Sequence, residues 1–156
     1  MKSAVRILDS VMNAVLTEFC SHFAPRGRVL WVNEVGEEPA YKRPDAFRYL
    51  ELPPPPWHDL PNIVISDEER NWLFLIDVPR IRGQINGERC AVLEKIFQGH
   101  GPGLVFLNAF KDRRELGDLL LDLPWQTAAW IAEEPDHMIH FNGRRLLGPK
   151  MDHPVR

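Results

Sequence analysis

The chain has 156 residues, 44% of them hydrophobic and 26% charged, with a formal net charge of -3. These values describe one ordinary globular domain spanning 1–156 and exclude a disordered or low-complexity polypeptide. They also exclude nucleic-acid binding through bulk positive charge, so any DNA contact has to use a local basic patch.

The first element is a helix over about 3–22. Ala4, Ile7, Leu8, Val11, Met12, Val15, Phe19 and Phe23 recur at spacings of three and four, and Pro25 stops the run. Arg28-Val29-Leu30-Trp31-Val32 reads as a short strand. Residues 34–60 are acidic and proline-rich, with Pro53 to Pro56 consecutive, and read as an exposed extended loop with few ladder donors.

Asn62-Ile63-Val64-Ile65 and Trp72-Leu73-Phe74-Leu75-Ile76-Asp77-Val78 flank a short polar run and read as an antiparallel hairpin. The second arm is apolar on both faces, which predicts a central strand covered on both sides. Ala91, Val92, Leu93, Ile96 and Phe97 suggest a helix that begins after Gly87 and closes near Gly99. Leu104-Val105-Phe106-Leu107 is a buried strand. Asp112-Arg113-Arg114-Glu115 has the form of a capping box opening a helix that Pro124 ends. Strands follow around 128–131 and 137–141, and Asn142-Gly143 predicts a tight turn returning into Arg145-Leu146-Leu147. This order predicts an α/β fold, a mixed sheet flanked by helices.

Cys20 and Cys90 are the two cysteines and form no CxxC, which excludes a disulfide framework or a cysteine zinc site and suits a reducing cytoplasm. No apolar run approaches the roughly 18 residues needed to cross a bilayer. The start of the chain lacks a signal-peptide pattern, so a cytoplasmic protein without membrane contact is expected.

The most informative residue is Asp77, a carboxylate at the end of an apolar strand. Burial there costs several kcal/mol unless the charge is paired, hydrogen-bonded or metal-bound. Two readings stay open on the residues alone. In one, Asp77 caps the strand end or pairs with Arg80 or Arg82. In the other it belongs to a magnesium nuclease site, where acids on two neighbouring hairpin arms hold a hard cation and a lysine lies two residues beyond the second acid. Here the first-acid position is Asn62 and the lysine position is Pro79.

Leu60-Pro61-Asn62-Ile63-Val64-Ile65-Ser66-Asp67-Glu68-Glu69-Arg70-Asn71-Trp72-Leu73-Phe74-Leu75-Ile76-Asp77 resembles the hairpin of the BsuBI/PstI restriction endonuclease family. So does the later stretch from Trp125-Gln126-Thr127 through Trp130-Ile131-Ala132-Glu133-Glu134-Pro135-Asp136-His137-Met138-Ile139-His140-Phe141-Asn142-Gly143 to Leu147-Gly148-Pro149. The similarity covers about 29–150. It implies a PD-(D/E)XK nuclease fold, corresponding to the C-terminal half of that family, with no counterpart of the family's N-terminal DNA-recognition region. It further implies magnesium-dependent hydrolysis of double-stranded DNA, by a two-fold homodimer where a palindrome is cut.

The resemblance carries the family's Pro-Asp step onto Pro61-Asn62 and its strand acid onto Asp77. Its basic residue falls near Glu88, where Arg89 and Lys95 are the neighbouring substitutes. Glu34 falls where the family has an acid after its first strand. The implied metal set is thus Asp77, Asn62 and Glu34, with Arg89 or Lys95 on phosphate. The inverted charge at Glu88 and the lost one at Asn62 keep a second reading open. In it the nuclease fold is inactive and binds DNA or a protein partner in a restriction or defence system.

Arg144, Arg145 and Lys150 form the basic stretch expected to contact DNA. His137 and His140 face opposite sides of a strand and so do not suit one zinc ion. Trp31, Trp72, Trp125 and Trp130 are expected in the core, Trp57 in partner contact, and Asp67-Glu68-Glu69 as solvated charges at a hairpin tip.

Overall fold

The computed structural model describes residues 8–34, 41–42, 59–97 and 101–149, apart from the Arg82 side chain. The first helix is one rod, α1, made of Ser10–Ala14, a wider π-turn at Val15–Phe19, and Cys20–Phe23. Asp9 caps it by accepting from the Val11 and Met12 N–H groups. The helix expected to run through Leu8 and Asp9 starts instead at Ser10, because the Asp9 side chain caps it from an extended backbone, and 3–7 lie outside the described residues.

The strands are β1 (Arg28–Val32), β2 (Tyr41–Lys42), β3 (Ile63–Asp67), β4 (Trp72–Asp77), β5 (Gly103–Phe110), β6 (Thr127–Ile131) and β7 (Ile139–Phe141). They form one sheet in the order β2-β1-β3-β4-β5-β6-β7. The β3–β4 hairpin is antiparallel with Ile63 opposite Ile76 and Asp67 opposite Trp72. β4, β5 and β6 run parallel, with Asp77 beside Asn108 and Phe110 beside Ile131. β4 is therefore central, as its two-sided apolar pattern predicts.

Side-chain alternation divides the core between the two faces of this sheet. Val11, Met12, Val15 and Phe19 of α1 pack on Ile63, Ile65, Phe74, Ile76, Leu107 and Trp130. Phe19 meets Phe74 and Trp130 edge-on, with ring centroids 5.6 and 5.7 Å away. The other face carries Trp31, Val64, Leu73, Leu75 and Phe106, covered by Leu60, Ile85, and by Leu93 and Phe97 of α3 (Gly87–Phe97). A short helix α2 (Pro79–Arg82) starts just beyond β4. α4 (Arg113–Leu119) follows β5 and sets Leu116 against Phe110, Ala129 and Ile131.

Several local expectations are corrected. β2 pairs with Trp31 and Val32 of β1 inside the segment read as a loop, because a two-residue ladder is too short to leave a period in the sequence. The end of that loop is not exposed, since Leu60 is buried against the sheet face that α3 covers, while 35–40 and 43–58, with Trp57, lie outside the described residues. β5 continues past Leu107 to Phe110, since Asn108 turns a polar group into a buried network rather than ending the strand. Val92 of α3 is exposed, so the apolar face of that helix is narrower than its composition suggests.

Asn142-Gly143 does not turn back into a strand. Leu146 and Leu147 are exposed beyond β7, which is already the sheet edge and offers no second layer to cover them. Trp72 and Trp125 are exposed rather than core, while Trp31 and Trp130 are fully buried. Asp67 is not solvated. It lies at the end of β3, and its Oδ2 accepts from Arg70 Nε at 2.7 Å. Among the described residues no helix is long and apolar enough to cross a membrane.

Candidate functional site

Asp77 closes β4 with no exposed surface. It shares a face with Leu73 and Leu75, the face covered by α3, and so points into the interior. The loop after α2 brings α3 back over this strand end, and Asn108 on the adjacent strand holds that loop. Its Oδ1 accepts from Ile85 N–H at 2.7 Å, and its Nδ2 donates to Ile85 O at 3.3 Å. Asn86 then opens α3 by accepting from Arg89 N–H at 2.9 Å. This capped first turn delivers Arg89 to Asp77.

The pairing is bidentate. Arg89 Nε donates to Asp77 Oδ2 and Nη2 to Oδ1, the latter at 3.2 Å. Nη2 also donates to Leu60 O at 3.2 Å and Nη1 to Asp59 O at 3.3 Å. Oδ1 of Asp77 accepts a further bond from Asn62 N–H at 3.1 Å. A fork-shaped guanidinium matched to a carboxylate is the strong form of ion pair. The partner of Asp77 is thus Arg89, twelve residues on, and not Arg80, which reaches Asp9 at 3.4 Å and Glu115 at 3.9 Å.

Asn62 is buried just before β3. Its Oδ1 accepts from Val78 N–H at 2.8 Å, while its Nδ2 donates to Asn33 O at 2.7 Å and faces Glu34 O at 3.4 Å. An N–H on one side and carbonyls on the other fix which end of the amide is oxygen. Trp31 Nε1 donates to Pro61 O at 3.0 Å and anchors the same turn. Asn33 donates its backbone N–H to Asn62 O at 2.7 Å. Its side-chain amide is buried without a hydrogen-bond partner among the described residues.

Glu34 joins this neighbourhood through its backbone, and its side chain accepts from Asp9 N–H at 3.1 Å. Glu88 and Lys95 are exposed on α3, Lys95 nearly two turns beyond Arg89. Of the expected set, Asp77, Asn62 and Arg89 are therefore in contact, Glu34 approaches through its main chain, and Lys95 stands apart. The sequence pattern does not single out Asn33 and Asn108. The signal available was an asparagine directly after each of two apolar strand runs.

Arg144 and Arg145 are exposed beyond β7. Because β7 runs antiparallel to β6, with Phe141 opposite Thr127, they lie at the sheet end away from Asp77. Lys150 lies outside the described residues. A cavity of about 320 Å³ bounded by Phe23, Trp72, Phe74 and His140 also belongs to that far end. His137 pairs with Asp136, Nδ1 to Oδ1 at 2.9 Å, and among the described residues no cluster of three His, Cys, Asp or Glu could hold a metal.

The model of the BsuBI/PstI restriction endonuclease domain matches residues 8–144. The chain belongs to this family. It is 33% identical over 141 residues to the type II restriction enzyme BsuBI of Bacillus subtilis, covering 90% of this chain and 45% of that protein. It is 32% identical over 144 residues to the type II restriction enzyme AplI of Arthrospira platensis, covering 88% and 44%. The solved structure of the SdaI restriction endonuclease superposes with a TM-score of 0.79 at 35% identity, over 88% of this chain and 44% of that one. The fold is thus restriction-endonuclease-like. The chain spans just under half the length of these relatives.

Magnesium, the ion the family implies, does not fit these side chains. It needs hard oxygens with open lone pairs, usually carboxylates. Both oxygens of Asp77 are engaged by Arg89, one of them also by Asn62 N–H, and Asn62 turns its NH₂ toward the carbonyls of Asn33 and Glu34. Arg89 holds its proton at neutral pH and cannot act as an acid.

Proposed function

We propose that this domain is a nuclease-fold module that holds double-stranded DNA in a restriction or defence system without itself hydrolysing the phosphodiester. Family membership supports the DNA reading. The single observation that carries the loss of cleavage is the bidentate Arg89–Asp77 pair, which commits the one buried carboxylate of the site to an internal cation. DNA contact is assigned to exposed cations, either Lys111 and Arg114 beside the carboxyl ends of β5 and β6, or Arg144 and Arg145 at the far end.

The test is incubation with plasmid DNA and magnesium or manganese, beside a mobility-shift titration with linear duplex. Retardation without nicking is expected. Cleavage that Asp77→Ala abolishes returns the domain to the magnesium-dependent endonucleases. A protein-binding reading draws on a different observation. Leu121 and Trp125, in the turn between α4 and β6, are 99% and 72% exposed, as expected of a surface that meets a partner. Absence of any DNA retardation, with binding to a restriction-system protein that Trp125→Ser weakens, favours that reading.

A further inference from the structure

We infer that Asn62 and Arg89 together replace a divalent cation at this strand end, so that the site is electrically complete and takes no metal. The inference rests on the reading above that Asp77 is committed to Arg89. The charge balance is local. Asp77 contributes one negative charge, Arg89 one positive, and Asn62 none, so the buried group is already neutral. A divalent ion there would add two positive charges that this pair does not balance in a desolvated setting, and the Glu34 carboxylate beside it is turned to the Asp9 N–H.

The hydrogen bonds point the same way. Asn62 Nδ2 stands 2.7 Å from Asn33 O and 3.4 Å from Glu34 O. An aspartate in that position would set an anionic oxygen against two carbonyl oxygens, an arrangement that needs a cation between them. The amide NH₂ supplies the positive end itself. Asn62→Asp therefore restores the demand for a cation, and Arg89→Met in addition leaves two carboxylates that one divalent ion balances.

The experiment follows manganese binding by electron paramagnetic resonance on the full chain, with thermal melting in EDTA and in manganese. Wild type is expected to leave manganese free and to melt at the same temperature in both buffers. Asn62→Asp is expected to melt lower in EDTA, to recover several degrees with manganese, and to gain at least about tenfold in manganese affinity, because affinity follows the charge of the ligand set. Adding Arg89→Met is expected to strengthen binding again.

Manganese binding by wild type that Asp77→Asn removes overturns the inference. So does an Asn62→Asp chain that stays unstable at saturating manganese, or one that matches wild type in both buffers. Failure of wild type to bind DNA, with manganese still ignored, would sink the functional reading and leave this one standing.

Discussion

Arg89, in the first turn of α3, holds both oxygens of Asp77 at the end of β4, twelve residues away in sequence. Asp77 has no exposed surface and the Arg89 side chain is mostly covered, so neither charge can turn to water when the other is removed. Arg89→Met or Asp77→Ala alone should each cost about 3 kcal/mol, the effect of stranding a buried charge. The double variant should recover much of that loss. Urea denaturation of the four proteins measures the coupling, and additive losses would show that the pair is not the unit of stability.

Asn33 buries both polar atoms of its side chain without partners among the described residues. Each such atom carries a desolvation penalty of about 1–3 kcal/mol. Asn33→Leu, which keeps the branched four-atom skeleton without its polar atoms, should raise stability by roughly 1 kcal/mol. A destabilised variant would reveal a polar partner for that amide.

Lys111 and Arg114 form no ion pair among the described residues and lie just after β5, at the same sheet end as Asp77. Ligands of open sheets gather at the carboxyl ends of parallel strands. Reversing both to glutamate should weaken duplex binding and lower the salt dependence by about one unit for each phosphate no longer neutralised, more than the same change at Arg144 and Arg145. Binding isotherms at several salt concentrations decide between the two ends.

The carboxyl of Asp67 lies below the usual aspartate range. Burial pushes it up, but the side-chain and backbone hydrogen bonds from Arg70, the Arg70 charge and the Glu69 N–H outweigh that push. A carboxylate depressed in the folded state stabilises above its unfolded pKa of about 3.9, and the contribution disappears as pH falls through the folded value. Asp67→Asn should therefore cost roughly 1 kcal/mol at pH 7, a figure kept low because Arg70 is partly exposed, and almost nothing near pH 2. Denaturation at the two pH values is the check, and an equal loss at both would place the effect outside this ion pair.

Burial raises the thiols of both cysteines, Cys20 to about 11 and Cys90 to about 11, with Glu94 adding to the rise at Cys90. The thiolate is the reactive form, so neither should alkylate readily at pH 7.5 in the native state. Counting thiols with a maleimide before and after denaturation tests this.

The amino-acid sequence alone determined the longer strands and helices and the central place of β4, because periodicity and apolar runs report which faces leave water, whereas the two-residue β2 and the one-turn α2 left no such period. The family hairpin was equally legible, since Leu60 to Asp77 is one unbroken stretch of local pattern. Asp77 stood out for the same reason, a charge ending an apolar run. Its partner did not. Arg80 and Arg82 were nearer in the chain, and only the path of the loop held by Asn108, with the cap at Asn86, brings Arg89 onto the carboxylate. The orphaned amide of Asn33 and the two-sided role of Asn62 were hidden likewise. Hydrogen bonds between segments nearly thirty residues apart leave no period behind, and which polar atoms share a buried space is decided by how the layers close.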